Sequence, residues 1–436
     1  MTISPFEERY RTEMNDIFEE RERLAKWMAV EIALARAHAK LGNVPKDAPA
    51  RIEEAAAKVK LERVHEIEGQ IHHDLMAMVK ALSEQAGEAG RFVHVGATSY
   101  DIEDTATALI FMDGIDLLDK HLAALSAQLK KLALEHLDTV CIGRTHGQHA
   151  VPTTYGMKFA LYYQELKRNR ERLREARKRI AVGKMSGAVG TMATFGKDGP
   201  KIQKMVMDEL GLGPAPVTNQ VVQRDRHAEV MSVLALCAAG IEKIAKEIRN
   251  LQRTEILELS EGFGARQVGS STMPHKRNPH KSERVCSIAR LVRANALTAF
   301  ENIALEHERD LTNSANERAV FAESFIALDY MAIEMARILG SLAFYPENMK
   351  RNLELTRGLV MAERVMIHLV DSGKMGRQDA HELVRELAQE AFSGKRDFRE
   401  VLLERKVLDR KTADELFDYS TYTGNARKIV EDAVKD

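Results

Sequence analysis

Residues 115–132 read IDLLDKHLAALSAQLKKL, and apolar side chains recur in this stretch at alternating intervals of three and four positions. The apolar positions are Ile115, Leu118, Leu122, Leu125, Leu129 and Leu132. This spacing places one apolar seam along a helix, which then packs lengthwise against neighbouring helices. The stretch therefore predicts a long helix inside a helical bundle.

Two further stretches carry the same spacing. The second seam comprises Val230, Leu234, Cys237, Ile241, Ile244, Ile248 and Leu251, and the third comprises Leu328, Met331, Met335, Ile338 and Leu342. Residues 157–182 and 283–305 are predicted as two more long helices. The charged run at 164–180 is predicted to be a solvated face, because opposite charges recur three and four positions apart. Strand signals are sparse, so the fold class is predicted to be all-α.

Composition shifts along the chain predict three domains. An N-terminal helical domain covers residues 1–111, a central long-helix bundle covers 112–345, and a C-terminal helical domain covers 346–436. Pro346 is expected to stop the third seam, because proline cannot continue the interior of a helix. Residues 183–199 hold five glycines, which would let the backbone approach a ligand or another helix closely.

The overall charge excludes some classes of partner. The 436 residues include 64 Lys and Arg against 65 Asp and Glu, so no basic excess indicates nucleic acid or an anionic membrane. Three widely spaced cysteines without a CxxC pair predict neither a disulfide framework nor a thiolate metal site. The charged N-terminus is expected to be neither a signal peptide nor a membrane anchor. A cytoplasmic location is therefore predicted.

Residues 269–279 read GSSTMPHKRNP, and its two prolines predict a loop whose polar groups are available to a ligand. Lys276 supplies positive charge, Asn278 donates hydrogen bonds, and backbone N–H groups after Gly269 can line an anion site. A surface turn of small polar residues is the alternative. The whole string resembles the signature loop of the fumarase/aspartase superfamily, whose members eliminate a group beta to a carboxylate and release fumarate.

A second string, GRTHGQHAVPTTYG at 143–156, contains His146 and His149 three positions apart. This spacing is compatible with zinc, but no nearby Cys or carboxylate supplies a third ligand, so no metal site is predicted. A structural histidine is the other alternative. The RTHGQ string resembles the second signature of the superfamily, and this resemblance implies that His146 is the general acid.

A third string, HVGATSYDIEDT at 94–105, places His94, Thr98 and Ser99 before Asp101. Locally it predicts a helix N-terminus, at which Ser99 acts with Asp101 or Glu103 as a cap. The TSxD pattern resembles the first superfamily signature, which implies that Thr98 and Ser99 bind a substrate carboxylate. Capping and binding are compatible, because a helix N-terminus favours an anion.

Four further features resemble the adenylosuccinate lyase family in particular. They are the pair Arg9 and Tyr10, the string HHD at 72–74, the string NQVVQRDRHAE at 219–229 and the string HERDLTNSANER at 307–318. The resemblance implies that Arg309, Ser314 and Arg318 hold a 5′-phosphate, for which arginine is geometrically suited. The other substrate-binding residues that it implies are Arg9, Tyr10, His72, Asp74, His94, Thr98, Ser99, Gln220, Ser271, Lys276 and Asn278.

The resemblance also implies a mechanism that requires no cofactor. Ser270 would be the general base, acting as an alkoxide stabilised by Lys276 and by surrounding N–H groups once the loop has closed over the substrate. His146 would protonate the departing nitrogen, Glu283 would orient and polarise that histidine, and His73 would assist. The products would be fumarate and either AMP or the aminoimidazole carboxamide ribotide.

Two alternative functions remain at this stage. The loop also suits 3-carboxymuconate cycloisomerase, but that enzyme has no ribose phosphate to be held by Arg309 and Arg318. A catalytically silent helical scaffold of the same fold is the alternative outside enzymes. The family resemblance implies a long central bundle that assembles into a twenty-helix core of a homotetramer, with active sites shared between subunits.

Overall fold

The computed structural model describes residues 4–264, 269–373 and 375–435. The helices are α1 Met14–Phe18, α2 Glu20–Lys40, α3 Ala48–Ala56, α4 Leu61–Ile71, α5 Asp74–Ala86, α6 Ser99–Glu135, α7 Tyr155–Ile180, α8 Gly199–Leu210, α9 Asp225–Leu251, α10 His280–Glu301, α11 Ser314–Leu339, α12 Pro346–Glu354, α13 Ala362–Asp371, α14 Arg377–Ser393, α15 Phe398–Glu404, α16 Arg410–Leu416 and α17 Ala426–Ala433. The strands are β1 Val140–Thr145, β2 Gln148–Thr154, β3 Val182–Gly183, β4 Gly213–Pro214, β5 Leu259–Ser260 and β6 Ala343–Phe344. The strands pair two by two, β1 with β2, β3 with β4 and β5 with β6. The all-α prediction is confirmed.

Five long helices dominate the described chain, and they lie where the sequence predicts them. The first seam runs along α6 and the second along α9, and every side chain of both seams is buried. The stretches predicted at 157–182 and 283–305 correspond to α7 and α10. An alternating interval of three and four residues places all residues of a seam on one side of the helix, and in both helices that side is buried.

The third seam ends earlier than its apolar pattern predicts. Helix α11 stops at Leu339, so Leu342 lies outside it. Beyond its end, the hydroxyl of Ser341 donates to the carbonyls of Arg337 and Ile338 and so satisfies acceptors of the last turn. Pro346 was expected to stop this helix, and instead it occupies the first turn of α12, where its missing N–H costs nothing.

Contacts divide the chain into two compact units. The first comprises Met1–Leu122, Asn169–Ala239 and Ser287–Ile333, and the second comprises Ala123–Arg168, Gly240–Cys286 and Glu334–Asp436. In the first unit, α2, α3, α5 and α8 pack around a buried core that includes Trp27, Leu34 and Met78. In the second unit, α13, α14 and α15 pack around Phe398 and Val401. The predicted domain boundaries at 111 and 345 stay a prediction.

The glycines of 183–199 permit close packing, as the sequence predicts. A Cβ on Gly183 would lie 2.6 Å from the sulfur of Met207, and a Cβ on Gly190 would lie 2.0 Å from the carbonyl oxygen of Thr218. Gly190 also has φ of +86°, a left-handed conformation that a side chain disfavours. No helix in the described ranges combines the length and apolar composition needed to cross a membrane.

Replacing Gly190 by Ala is expected to destabilise the protein by about 2–4 kcal/mol, since the added methyl group meets a backbone carbonyl in a strained conformation. The matched control is Gly211→Ala, where φ of 70° and ψ of 27° are left-handed but nothing lies within 4 Å of the added atom. That variant should lose roughly 1 kcal/mol. Urea titration of both variants measures the difference, and equal losses would show that the contact with Thr218 does not matter.

Candidate active site

The signature loop Gly269–Pro279 closes on itself immediately before α10. The side-chain amide of Asn278 donates to the carbonyl of Gly269 at 2.8 Å, which joins the two ends of the loop. A Cβ on Gly269 would lie 2.0 Å from the carbonyl oxygen of Lys276, so only glycine fits at that position. Asn278 was expected to donate to a substrate carboxylate, and in this structure its donor group is engaged by the loop.

Two backbone N–H groups are directed at the hydroxyl oxygen of Ser270. This oxygen accepts from the N–H of Met273 at 3.1 Å and faces the N–H of Thr272 at 3.4 Å. N–H groups aimed at an oxygen stabilise negative charge that develops on it. Ser271 and Lys276 are exposed, and Ser270 is half-buried. The loop therefore presents one hydroxyl whose ionised form has two donors already in place.

Two residues that sequence analysis missed hold this loop against its neighbours. The carboxylate of Glu261 accepts from the N–H groups of Ser282 at 2.6 Å and of Lys281 at 3.4 Å in the first turn of α10. The side chain of Gln252 donates to the carbonyl of Arg277 at 3.0 Å and accepts from the N–H of Glu261 at 2.9 Å. No local motif marks these residues, because their partners lie nine to twenty-five positions away.

His146 occupies the tip of a β-hairpin. Strands β1 and β2 pair Thr145 with Gln148, which leaves His146 and Gly147 as the two-residue turn, with φ of 54° and 74°. Positive φ at both positions is typical of a type I′ turn, whose twist matches that of the flanking strands. The imidazole is exposed and, among the described residues, has no hydrogen bond to Glu283. Glu283 is itself exposed in the first turn of α10.

A buried carboxylate anchors the hairpin. Glu258 is fully buried, and it accepts from Arg144 at 2.5 Å, from the hydroxyl of Tyr155 at 2.8 Å and from the amide of Asn352 at 2.9 Å. Three donors compensate the desolvation of this charge. They fix the strand that precedes His146.

Thr98 and Ser99 lie at the N-terminus of α6, as the sequence predicts. The cap is provided by Asp101 and not by Ser99, because its carboxylate accepts from the N–H of Thr98 at 2.9 Å. The hydroxyl of Ser99 lies 3.4 Å from Nε2 of His73. The structure therefore brings together two residues that sequence analysis assigned to one site from separate motifs.

The HHD string joins α4 to α5. His72 ends α4 with φ of 53°, and His73 is the N-cap of α5. The carboxylate of Asp74 lies 2.5 Å from the guanidinium of Arg318. Burial of Asp74 opposes its ionisation, but the hydrogen bond and charge of Arg318 outweigh that effect and lower the pKa of the carboxyl. A phosphate bound to Arg318 would therefore either share the guanidinium with the carboxylate of Asp74 or displace that carboxylate.

Arg309 has donors that no group in the described ranges uses. Its guanidinium lies 3.6 Å from the ring centroid of Tyr100, and its NH1 donates to Gln220 at 3.2 Å. Its Nε and NH2 are buried and, among the described residues, have no hydrogen-bond partner. Buried N–H groups without partners are costly, so they indicate a ligand that accepts hydrogen bonds. Ser314 contacts the same Tyr100 through a side-chain hydrogen bond.

A cavity of about 460 Å³ opens beside these residues in the first unit. Its polar lining includes Ser314, Arg318 and Glu103, and its aromatic lining includes Trp27 and Phe321. Burial, together with the charges of Asp74 and Asp104, raises the pKa of Glu103 to about 8. The sequence indicates Glu103 only as a possible helix cap, and no motif in it marks Trp27.

The remaining predicted residues of the first unit lie at its N-terminal segment and at the turn before α6. The rings of Tyr10 and Tyr330 have centroids 5.0 Å apart, and Arg9 is exposed beside Tyr10. Nδ1 of His94 lies 2.6 Å from the carboxylate of Glu31. Burial lowers the pKa of His94, but Glu31 outweighs that effect and raises it. A charged His94 is thus favoured by a partner that sequence analysis did not name.

The predicted residues therefore form two groups. The first unit holds Arg9, Tyr10, His72, His73, Asp74, His94, Thr98, Ser99, Gln220, Arg309, Ser314 and Arg318, and the second unit holds His146, Ser270, Ser271, Lys276, Asn278 and Glu283. The first group is rich in arginine and has unpaired donors suited to an anion. The second group carries the hydroxyl and the imidazole suited to proton transfer.

Comparison with known proteins decides the family. Residues 8–294 match the family model described as Lyase, and residues 358–433 match the model described as Adenylosuccinate lyase C-terminus. The adenylosuccinate lyase of Pyrococcus abyssi is 54% identical over 440 residues, covering 100% of this chain and 98% of that protein. The chain belongs to the adenylosuccinate lyase family. The adenylosuccinate lyase of Bacillus subtilis is 42% identical, covering 97% of this chain and 98% of that protein.

Solved structures agree with this assignment at the level of the superfamily. A fumarate lyase from Mesorhizobium sp. BNC1 superposes with a TM-score of 0.89 at 32% identity, covering 97% of each chain. The 3-carboxy-cis,cis-muconate lactonizing enzyme of Pseudomonas putida superposes with a TM-score of 0.89 at 34% identity, covering 99% of this chain and 98% of that one. Identity to the adenylosuccinate lyases is higher, and the C-terminal model is theirs. The chain is therefore a lyase of the adenylosuccinate lyase family, with the fold of the fumarase/aspartase superfamily.

Proposed function

We propose that the chain cleaves adenylosuccinate to AMP and fumarate, and that it cleaves succinylaminoimidazole carboxamide ribotide in the same way. The observation that carries the nucleotide assignment is Arg309, whose buried Nε and NH2 lack a partner among the described residues. A 5′-phosphate accepts such hydrogen bonds, with Arg318 and Ser314 alongside. The alternative substrate 3-carboxymuconate has no phosphate and would leave these donors unpaired.

The proposed reaction is a β-elimination. The Ser270 alkoxide removes a proton from the carbon beta to the departing nitrogen, and the aci-carboxylate that develops at the carboxyl group on that carbon is held by Lys276 and by Thr98 and Ser99. The C–N bond then breaks, and His146 gives a proton to the nitrogen of the nucleotide. Glu283 polarises His146, and His73 assists beside Ser99.

Direct assay tests the proposal. Adenylosuccinate is added to the purified protein, its ultraviolet absorbance is followed, and products are separated by chromatography. Fumarate and AMP in equal amounts are expected. If adenylosuccinate remains intact while 3-carboxymuconate is converted, the cycloisomerase is the function, and if neither reacts the silent scaffold replaces both.

Removal of the Arg318 guanidinium is expected to weaken substrate binding. Arg318→Ala should raise KM for adenylosuccinate roughly 10–100-fold with a smaller effect on kcat, because hydrogen bonds to a charged group contribute about 1.5–3 kcal/mol. Arg337→Ala is the matched control, since Arg337 lies exposed on the same helix and pairs with Glu334 at 3.7 Å. Steady-state kinetics distinguish the two variants. An unchanged KM for Arg318→Ala would remove it from the phosphate site.

We also propose that the chain forms a homotetramer with shared active sites. Large apolar side chains are exposed on several of the long helices, among them Leu161 on α7, Leu236 on α9, and Leu291, Leu297 and Phe300 on α10. Such exposure is expected of surfaces that another subunit covers. Dilution to monomer should therefore abolish activity, and sedimentation that shows a fully active monomer would contradict the proposal.

The proposed setting is the cytoplasm, with neither nucleic acid nor membrane as a partner. Cys141, Cys237 and Cys286 are buried free thiols, which suits a reducing compartment. The near-zero net charge gives no electrostatic attraction to an anionic polymer. Fractionation of cells and salt-dependent binding to nucleic acid test these two points.

A further inference from the structure

A second cavity lies within the second unit, between strand β2 and the C-terminal helices. We call it the hairpin cavity. Its volume is about 860 Å³, and its lining comes from residues 149–151 of β2, from residues 355–363 after α12, and from residues 391–396 at the end of α14. This volume lies in the range of sites that hold small molecules. None of the residues assigned to the active site lines it.

Two polar atoms of the lining residues are buried and unpaired. Nδ1 of His149 and Oγ1 of Thr356 have no hydrogen-bond partner in the described part of the chain. Burial, together with the charge of Arg144, lowers the pKa of His149, so its ring is neutral at neutral pH. Each unpaired atom costs folding free energy unless something bonds to it. Both residues line the cavity and carry a polar atom that no described group uses.

The lining is also cationic. Arg357, Lys395 and Arg396 contribute positive charges, against one lining carboxylate, Glu363. The guanidinium of Arg357 donates to the backbone carbonyl of Lys395, which joins the two cationic segments across the lining. Arg396 is partly neutralised, because it pairs with Glu390 at 3.4 Å and also with Glu404. Lys395 and Arg357 have no carboxylate partner among the described residues, and these two cations favour an anion.

Apolar side chains complete the cavity. Phe392 is 69% exposed and Leu355 is 66% exposed, although both are large apolar residues. An exposed aromatic ring beside cations suits a ligand that combines a planar body with a negative group.

We propose that the hairpin cavity is a second ligand site that binds a nucleoside monophosphate. The phosphate lies against Lys395, Arg357 and Thr356, and the base stacks on Phe392. His149 bonds to the ribose or the base through Nδ1. The site concerns binding alone and does not depend on the proposed reaction.

The test is calorimetric titration of the full-length protein with AMP. The starting protein carries Arg318→Ala, which weakens AMP binding at the proposed active site. This Arg318→Ala protein should still bind AMP. Adding Lys395→Glu and Phe392→Ser to it should reduce its affinity for AMP at least tenfold, whereas adding Lys411→Glu should not. Lys411 is an exposed lysine outside the cavity and provides the charge control. Equal affinity with and without the two cavity substitutions would overturn the proposal.

Two further measurements keep the proposal testable if the substituted protein fails to fold. In the unaltered chain, AMP should slow amide hydrogen exchange at residues 355–360 and 391–396, and no slowing there would overturn the proposal. Inorganic phosphate should bind to the hairpin cavity at least tenfold more weakly than AMP, as measured by competition. Equal binding would show that the base does not contact the cavity and would overturn the proposal. Failure of the adenylosuccinate assay alone would leave both readouts unaffected, so the two proposals fail separately.

Discussion

Replacing Ser270 by Ala should lower kcat for adenylosuccinate roughly 10³- to 10⁴-fold, the upper part of the range for removal of a general base. The N–H of Met273 at 3.1 Å from the hydroxyl oxygen would then have no alkoxide to stabilise. KM should change little, because the hydroxyl acts on the proton in the transition state and not on the bound nucleotide. Single-turnover kinetics with excess enzyme measure the chemical step directly.

Thr272→Ala provides the matched control for Ser270→Ala. Both substitutions truncate a hydroxyl side chain in the same loop, and the N–H of Thr272 that faces Ser270 remains in place. Turnover by Thr272→Ala should stay near that of the unaltered protein. If Ser270→Ala kept near-normal turnover, Ser270 would not be the base. If both variants lost turnover equally, the loop would be acting through its backbone shape alone.

The long helices could be predicted because their signal is local. Seams such as Leu118 to Leu129 repeat at a helical interval, and burial of that face follows from the repeat. The end of the third seam could not, since α11 ends at Leu339, before Leu342 and well before Pro346. An apolar residue such as Leu342 continues the pattern without continuing the helix.

The β1–β2 hairpin shows a different limit. Its strands contain Gly143 and Pro152, which weaken a strand pattern, and its turn is His146–Gly147 and not the usual Asn-Gly or Asp-Gly. Strand signals in this string are weak, so its sequence alone does not predict a hairpin. The hairpin forms because Glu258, more than a hundred positions away, accepts from Arg144 and Tyr155. A partner at that separation leaves no trace in the local pattern.

The candidate site shows what a motif does and does not specify. Motif resemblance selected His73 and Ser99 separately, and the structure places Nε2 and Oγ of these residues 3.4 Å apart. The assignment of Asn278 to substrate stays a prediction, and one of the two amide N–H groups of Asn278 ties the loop together at Gly269. A motif specifies which residues belong to a site, but the distribution of their hydrogen bonds depends on the folded backbone.

Replacing Asp101 by Asn is expected to destabilise the protein by about 3–5 kcal/mol, because it leaves the Lys184 ammonium buried without its partner. Both side chains are fully buried, and they lie 2.5 Å apart. The carboxylate also accepts from the N–H groups of Ser186 at 2.8 Å and of Thr98 at 2.9 Å. The same substitution should lower kcat/KM, since the amide keeps one acceptor oxygen in place of two, and when that oxygen faces Lys184 the N–H of Thr98 at the start of α6 meets an NH2 group instead of an acceptor.

The exposed pair of Lys204 and Asp208 is the matched control, with a distance of 2.7 Å and mostly exposed side chains. Asp208→Asn should lose less than about 1 kcal/mol, because solvent screens an exposed pair. A double-mutant cycle with Lys184→Met then isolates the buried interaction, since removal of both charges should recover part of the loss that Asp101→Asn causes alone. Urea titration at fixed protein concentration measures all four proteins. Strictly additive losses would show that Asp101 stabilises the fold through its backbone hydrogen bonds, and that the charge of Lys184 contributes nothing to the effect.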